Sequence, residues 1–462
     1  MKIKRFEIPG LAQYSYMISS QGKAAVIDPM RDVDRYVEYA AREGLTIVQV
    51  LETHIHADFA AGSLALAEES EADLALSGHD EGQHYEYRMP HRPLRDGESI
   101  QVGNVRLQAL HTPGHTPEHL SFVLYDEERS KTEPVAVFSG DFLFVGSLGR
   151  PDLLGEEAKV SLAHDLFRSL HGKIAFLPDG VQLYPGHGAG SLCGAGMSDR
   201  PESTLGYERA TNVLFQLSED AFVTEVLASV PPMPDYYLRM KKLNSAGATR
   251  LSELPGRHAL TADDVKILCL SPDVVVLDLR RPEAFGGAHI PRAINIGAGQ
   301  NLSLWSGWIL DSKSRIILVN DVGDDEDSRR SLVRVGLDGI EGFLDKGISS
   351  WIDAGMDLAR TKHLSVCEVD NSFSTARVVD VRSDKEWADG HIAGAQHLML
   401  GDLPRLLQTL PEDLPLIAVC GSGYRSSIAA SLLARSNRTN VSSMDGGMAA
   451  WQRRSLTLTR EG

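Results

Sequence analysis

Cysteine is scarce in this chain. There are four in 462 residues, Cys193, Cys269, Cys367 and Cys420, and no two are close together. With no CxxC pair and no dense framework, a disulfide-built scaffold is excluded. Positive charge is short as well: 46 Lys and Arg stand against 63 Asp and Glu, for a net charge of -17 at pH 7. Nucleic acid and anionic membrane both require a basic footprint, so neither is expected as a main partner. Long apolar runs are missing. The stretch Met1–Glu7 alternates like a strand and holds no run of signal-peptide length, and no later window approaches a membrane span. The expectation is a cytoplasmic protein in a reducing compartment.

What the chain does contain is ordinary globular composition, 42% hydrophobic and 24% charged, over a length that suggests roughly three domains. Histidine is unevenly placed: eleven of the sixteen fall at or before His187. The cluster Thr53-His54-Ile55-His56-Ala57-Asp58-Phe59 follows the apolar strand Thr46–Leu51 and puts two imidazoles and a carboxylate within five residues. A strand ending in such a cluster is a metal site by default. Three later pieces repeat the arrangement of strand, Gly/Pro turn and ligand residue: His111-Thr112-Pro113-Gly114-His115, Ser139-Gly140-Asp141, and Tyr184-Pro185-Gly186-His187. Strands dominate residues 1–245, helices are interspersed, and a sandwich of sheets covered by helices fits best. Pro231-Pro232-Met233-Pro234 and Leu254-Pro255-Gly256 bracket a polar stretch that reads as the way out of this domain.

The remainder is an internal repeat with a period of about a hundred residues. Val276-Leu277-Asp278-Leu279-Arg280 matches Val378-Val379-Asp380-Val381-Arg382, His289-Ile290 matches His391-Ile392, and Asp345, Gly347 and Trp351 match Asp445, Gly447 and Trp451. Two copies of one α/β unit, 256–355 and 363–458, each with a parallel sheet, are expected.

The first set of motifs resembles the metallo-β-lactamase fold, which implies an αββα sandwich over residues 1–245. Two-metal hydrolases of that superfamily, such as glyoxalase II, carry a histidine directly after the motif Asp; Phe59 stands there and has no lone pair to give. What remains resembles the persulfide dioxygenase branch. That resemblance implies one Fe(II) per chain, in preference to zinc, held by His54, His115 and Asp141. Two histidines and a carboxylate leave positions open for O2 and substrate. His56, Asp58 and His187 then orient the ligands or substrate, or ligate themselves. Arg150, nine residues after Asp141, resembles the branch's pocket arginine and is expected to hold an anionic thiol carrier or persulfide. Cys193, on the Gly-rich loop after His187, is a candidate to accept or relay sulfur. Glutathione-type members have a tyrosine soon after that histidine, where this chain has Gly188 and Ala189, so the carrier stays open.

In the last repeat, Cys420-Gly421-Ser422-Gly423-Tyr424-Arg425-Ser426 follows an apolar strand and precedes a helical run. Inward N–H groups, a helix N-terminus and Arg425 would lower the thiol pKa and steady an attached anionic sulfur. The loop resembles that of the rhodanese family, and its C-x4-R spacing is one residue tighter than the C-x5-R of tyrosine phosphatases. The middle repeat has Asn320 at the cysteine position and then Asp321-Val322-Gly323-Asp324-Asp325-Glu326-Asp327, a run expected to repel anions, so it reads as a pseudo-rhodanese. The fold class expected is therefore α/β and α+β multidomain, a metallo-β-lactamase fold followed by two rhodanese-like α/β domains. The order implies oxidation of a low-molecular-weight thiol persulfide by O2 to sulfite, with Cys420 carrying sulfur to sulfite to give thiosulfate; a homo-oligomer is expected. The alternatives are a zinc thioester hydrolase of glyoxalase II type with rhodanese sulfur carriers, and a non-catalytic docking role for the repeats.

Overall fold

Alternation builds the first domain. Along the strand Leu120–Asp126, Leu120, Phe122 and Leu124 join one apolar cluster while Val123 joins another on the opposite face. The computed structural model that shows this describes residues 1–251, 253–372, 375–411 and 414–460. The chain divides into two units, Met1–Ser252 with Val333–Gly336, and Glu253–Leu332 with Leu337–Gly462.

In the first unit, one sheet runs in the order Lys2–Ile8, Gln13–Ser20, Lys23–Ile27, Thr46–Leu51, Asp73–Ser77, Arg92–Leu94. The other runs Ser203–Thr204, Gln182–Pro185, Ala136–Gly140, Leu120–Asp126, Val105–His111, Ser99–Val102. Between them lies the sandwich core, with Tyr16, Ile18, Ile27 and Leu51 from one sheet meeting Leu107, Phe122, Leu124 and Phe138 from the other. Helices Glu156–Gly172 and Glu219–Ala228 cover the outer face of the second sheet through Ala163, Leu166, Leu170 and Phe222. This is the expected αββα architecture. The ligand-type residues sit in the turns that follow Thr46–Leu51, Val105–His111, Ala136–Gly140 and Gln182–Pro185.

One expectation is corrected. The polar stretch after Pro234 is not a way out of the domain; it forms the helix Tyr236–Ala246, in which Tyr236, Tyr237, Met240, Lys241, Asn244 and Ser245 are buried.

The second unit contains the two repeats. Their sheets have the same order and are parallel throughout: Ala259–Leu260, Ile340–Leu344, Arg315–Val319, Val274–Asp278, Ile294–Asn295 in the middle repeat, and Lys362–Leu364, Val441–Met444, Leu416–Val419, Arg377–Asp380, Gln396–His397 in the last. The shared Asp-x-Arg element has a physical cause. Arg280 folds back on Asp278 at 2.6 Å and donates to the Ala288 carbonyl, and Arg382 does the same with Asp380, also at 2.6 Å, and Gly390. Each buried pair ties a strand end to the end of the helix that follows. Among the described residues no helix is long and apolar enough to cross a membrane.

Candidate metal centre and cysteine loop

The chain fixes three lone pairs on one point. His54 Nδ1 donates to Thr53 Oγ1 at 2.9 Å, and that hydroxyl in turn donates to Asp28 at 2.9 Å, so Nε2 of His54 carries the lone pair. His115 Nδ1 donates to the Arg150 carbonyl at 2.9 Å, which leaves its Nε2 in the same state. Asp141 Oδ1 accepts from His187 at 2.7 Å and leaves Oδ2 unused. Those three atoms, His54 Nε2, His115 Nε2 and Asp141 Oδ2, are buried without a hydrogen-bond partner among the described residues. They lie within 4.8 Å of one another, with Asp141 Oδ2 4.0 Å from His54 Nε2 and 3.7 Å from His115 Nε2. Burial pushes the pKa of both imidazoles well down, which keeps them neutral as metal binding requires. Three orphaned donors in a closed site are costly without an ion, so the residues present fit a bound metal.

Phe59 is buried, with its ring 4.4 Å from that of His56. His56 meets Asp28 through Nε2 at 3.1 Å, and its other ring nitrogen has no partner among the described residues; it lies outside the cluster of three. His187 sits between two carboxylates, donating at 2.7 Å to Asp141 and at 2.8 Å to Asp58. Burial works against its charge, yet Asp141 and Asp58 outweigh that and hold its pKa well up. Cys193 completes a second buried group with Asp58 and His187, their ligating atoms all within 4.8 Å of one another. Burial, with the nearby Asp58 and Asp141 charges, pushes the Cys193 thiol well up and keeps it neutral.

Arg150 is placed differently from the sequence reading. Its guanidinium grips Asp152 at 2.7 and 2.8 Å and donates to the Leu192 carbonyl at 2.9 Å, so its charge is already paired. Its backbone does the local work: the carbonyl orients His115, and the N–H bonds the Cys193 carbonyl at 2.9 Å. Gly186 is required by close approach, since a Cβ there would lie 2.5 Å from Asp141 Oδ1.

Sequence reasoning missed the groups that hold the metal loop. On the helix Tyr236–Ala246, Lys241 donates to the Ile55 carbonyl at 2.9 Å and Tyr236 to the Asp58 carbonyl at 3.1 Å. Asn244 donates to the His56 and Phe59 carbonyls at 2.8 and 2.7 Å and accepts from Ala61 N–H at 2.9 Å. Glu118 takes the Ile55 N–H at 2.9 Å. His119, four residues after His115, stacks on His54 with centroids 5.1 Å apart. Asp28 alone carried a signal, an acid at a strand end like the ligand residues; helical spacing at 236–244 means nothing until the loop facing it is known.

In the last repeat, the Gly423 N–H donates to Cys420 Sγ at 3.1 Å, and Ser426 Oγ lies 3.6 Å from the sulfur. Gly423 adopts φ 111°, the left-handed region that favours glycine, and so turns its N–H inward. Gly421, Ser422 and Gly423 link the strand to the helix Tyr424–Arg435. Arg425 is not free over the sulfur: it forms a two-point pair with Glu386 at 2.7 and 2.6 Å. In the middle repeat, Asn320 Oδ1 stands in for the sulfur, accepting from Val322 and Gly323 N–H at 3.0 and 2.6 Å. Its acidic run is neutralised more than expected. Asp324 pairs with the buried Arg329 at 2.9 Å, and Asp325 accepts from Ser328 N–H at the start of the next helix.

Comparison with known proteins agrees with this division. The Metallo-beta-lactamase superfamily matches residues 8–187, and the Rhodanese-like domain matches residues 261–354 and 365–454. A hydroxyacylglutathione hydrolase of Polaromonas sp. (strain JS666) is 30% identical over 247 residues, covering 48% of this chain and 88% of that protein. The mitochondrial persulfide dioxygenase ETHE1 of Bos taurus is 29% identical over 218 residues, 46% of this chain and 76% of that one. A crystal structure of a metallo-β-lactamase from Staphylococcus aureus subsp. aureus COL superposes with a TM-score of 0.67 at 37% identity, covering 74% of this chain and 98% of that one.

Proposed function

Because the chain belongs to the metallo-β-lactamase superfamily and carries two rhodanese-like domains behind that fold, we propose that it is a mononuclear iron persulfide dioxygenase coupled to a sulfurtransferase. The observation that carries the reading is the donor set: His54, His115 and Asp141 present three lone pairs, and the buried Phe59, directly after Asp58, has none to add. Fe(II), if held by those three side chains, would supply redox chemistry toward O2. The residues around it do the rest. His187 holds Asp141 by one carboxylate oxygen and so aims the other. Phe59, buried against His56, puts an apolar ring beside the cluster in place of another donor.

The overall oxidation balances as RSSH + O2 + H2O giving RSH, sulfite and two protons. At the second site, the Cys420 thiolate attacks the outer sulfur of another persulfide and releases the thiol. Sulfite then takes that sulfur, giving thiosulfate and free Cys420. The covalent carrier divides one transfer into two displacements. The inward Gly423 N–H steadies the sulfur at each stage. A low-molecular-weight thiol persulfide, O2 and sulfite are the proposed partners. A second reading, a zinc thioester hydrolase, is favoured by the hydroxyacylglutathione hydrolase relatives.

Metal quantification on anaerobically purified protein, coupled to O2 uptake, separates the two. One iron per chain with persulfide-dependent uptake is expected; two zincs with thioester turnover would overturn the dioxygenase. Cys420→Ser should keep the O2 uptake and abolish thiosulfate, and full-rate thiosulfate from that variant would refute the transferase step.

A further inference from the structure

The repeat that lost its cysteine still touches the one that kept it. Along the helix Tyr424–Arg435, which begins at the sulfur loop, four side chains bond to the middle repeat. Tyr424 donates to the Gly297 carbonyl at 2.9 Å, and Ser427 donates to Asn295 Oδ1 at 2.6 Å. Ser431 accepts from the Asn295 backbone N–H at 3.1 Å, and Arg435 donates to the Arg292 carbonyl at 2.8 Å.

Asn295 is the centre of this seam. It is 1% exposed, and every polar atom of its side chain is used. Both amide hydrogens go to carbonyls of its own repeat, Asp278 at 3.0 Å and Arg280 at 2.9 Å, which are the strand end of the Asp-x-Arg element. The remaining oxygen takes Ser427. At the matching strand position of the last repeat stands His397, whose ring nitrogen meets the Arg382 carbonyl at 2.9 Å. An imidazole that meets its own repeat through Nε2 has no oxygen left to offer outward; an amide does. The middle repeat thus departs from the shared pattern at the position that faces its neighbour's catalytic helix.

We propose that the middle repeat is a brace for the sulfur-transfer loop and that Asn295 is its positioning residue. The path is short: Asn295 fixes Ser427 in the first turn of the helix, and the helix start fixes Gly423, whose N–H meets the Cys420 sulfur. A change of a few tenths of an ångström at Ser427 moves that N–H relative to Sγ and weakens its hold on a thiolate. A repeat with Asn at position 320 can make this contribution without a nucleophile, since what it contributes is shape. The proposal rests on the reading of Cys420 as the transfer nucleophile.

The test follows the sulfur directly. The full-length protein is alkylated with iodoacetamide over a range of pH, and the Cys420 peptide is quantified by mass spectrometry, which separates it from the other three cysteines. Asn295→Ala and Ser427→Ala should each slow Cys420 alkylation at neutral pH by roughly fivefold, about the value of one hydrogen bond, and shift its pH profile upward. The double variant should be no slower than the slower single, because both changes remove the same bond. A merely structural role would lower the melting temperature and leave the profile in place. Profiles that coincide with the native protein's in folded single variants overturn the brace. Should Asn295→Ala fail to fold, Ser427→Ala decides, since it removes only a hydroxyl. Native protein that carries no sulfur from persulfide to sulfite would defeat the transferase reading and leave the alkylation result standing.

Discussion

Asn244→Ala is the sharpest test of how the metal loop is held. The side chain is 1% exposed and makes three bonds to the loop, to the carbonyls of His56 and Phe59 and from the N–H of Ala61. Each neutral bond contributes about 1 kcal/mol net, and a buried group left unpaired costs about 1–3 kcal/mol. Three lost bonds therefore put the destabilisation near 3 kcal/mol, higher if the loop does not relax. For a domain of this size, 1 kcal/mol moves the melting temperature by about 2–4 °C, so a fall of about 6–12 °C is expected in the first unit. The sequence makes the assignment easy. All five tryptophans lie beyond residue 300, so their fluorescence follows the second unit, whereas calorimetry follows both. The loop carries His54, so metal affinity measured by chelator competition should fall at least tenfold as well. Ser245→Ala is the control, since Ser245 donates only to the Lys242 carbonyl of its own helix. An Asn244→Ala transition within a degree of the native one, with unchanged metal affinity, would refute the reasoning.

Three further outcomes are expected. Phe59→His should raise the zinc taken up from one to two per chain, measured by elemental analysis after loading; a ratio that stays at one would show that Phe59 is not what closes the second position. Burial pushes Glu52 up from 4.5 to about 7, against the opposing pull of His56, Ser63 and Tyr87. Its folded pKa lies above its unfolded value, so the metal-free protein loses stability as pH rises from 4.5 toward 7 and is level above. The shift amounts to about 3 kcal/mol, and Glu52→Gln should remove that slope in urea unfolding between pH 5 and 7; an unchanged slope would show that Glu52 is not its source. Burial also works against the Glu386 carboxylate, but the Arg425 pair and Ser383 hold it down at about 2. That contribution is present above 4.5 and lost as pH falls toward 2, so Glu386→Gln should flatten the acid limb of the second unit's unfolding, followed by tryptophan fluorescence.

The sequence made His54, His115 and Asp141 legible because each follows an apolar strand, the latter two in Gly/Pro turns, and strand ends on one edge of a sandwich converge. The repeats were legible for a similar reason: matched Asp-x-Arg and Trp positions demand matched sheets, and the strand orders agree. Charge was the weaker guide. Arg150 and Arg425 looked like cations awaiting an anion, but Asp152 lies two residues from one and Glu386 comes from a distant helix for the other. The helix Tyr236–Ala246 looked like an exit because Lys241 and Asn244 are polar; they point inward because the metal loop's carbonyls have few partners elsewhere. Which nitrogen of a histidine carries its lone pair depends on Thr53 and on a main-chain carbonyl at Arg150, and no local pattern encodes that.

The loop at Asn320 bears on the cost of reactivity. Its amide oxygen holds two backbone N–H groups, at 3.0 and 2.6 Å, where the sulfur of Cys420 holds one at 3.1 Å. A group fastened on two sides is a good keystone and a poor reagent. A carrier must release its grip to attack and accept it again when loaded, so the working loop is the looser of the two. On the proposed transferase reading, the middle repeat is the same architecture without the nucleophile, its loop closed by one more backbone bond.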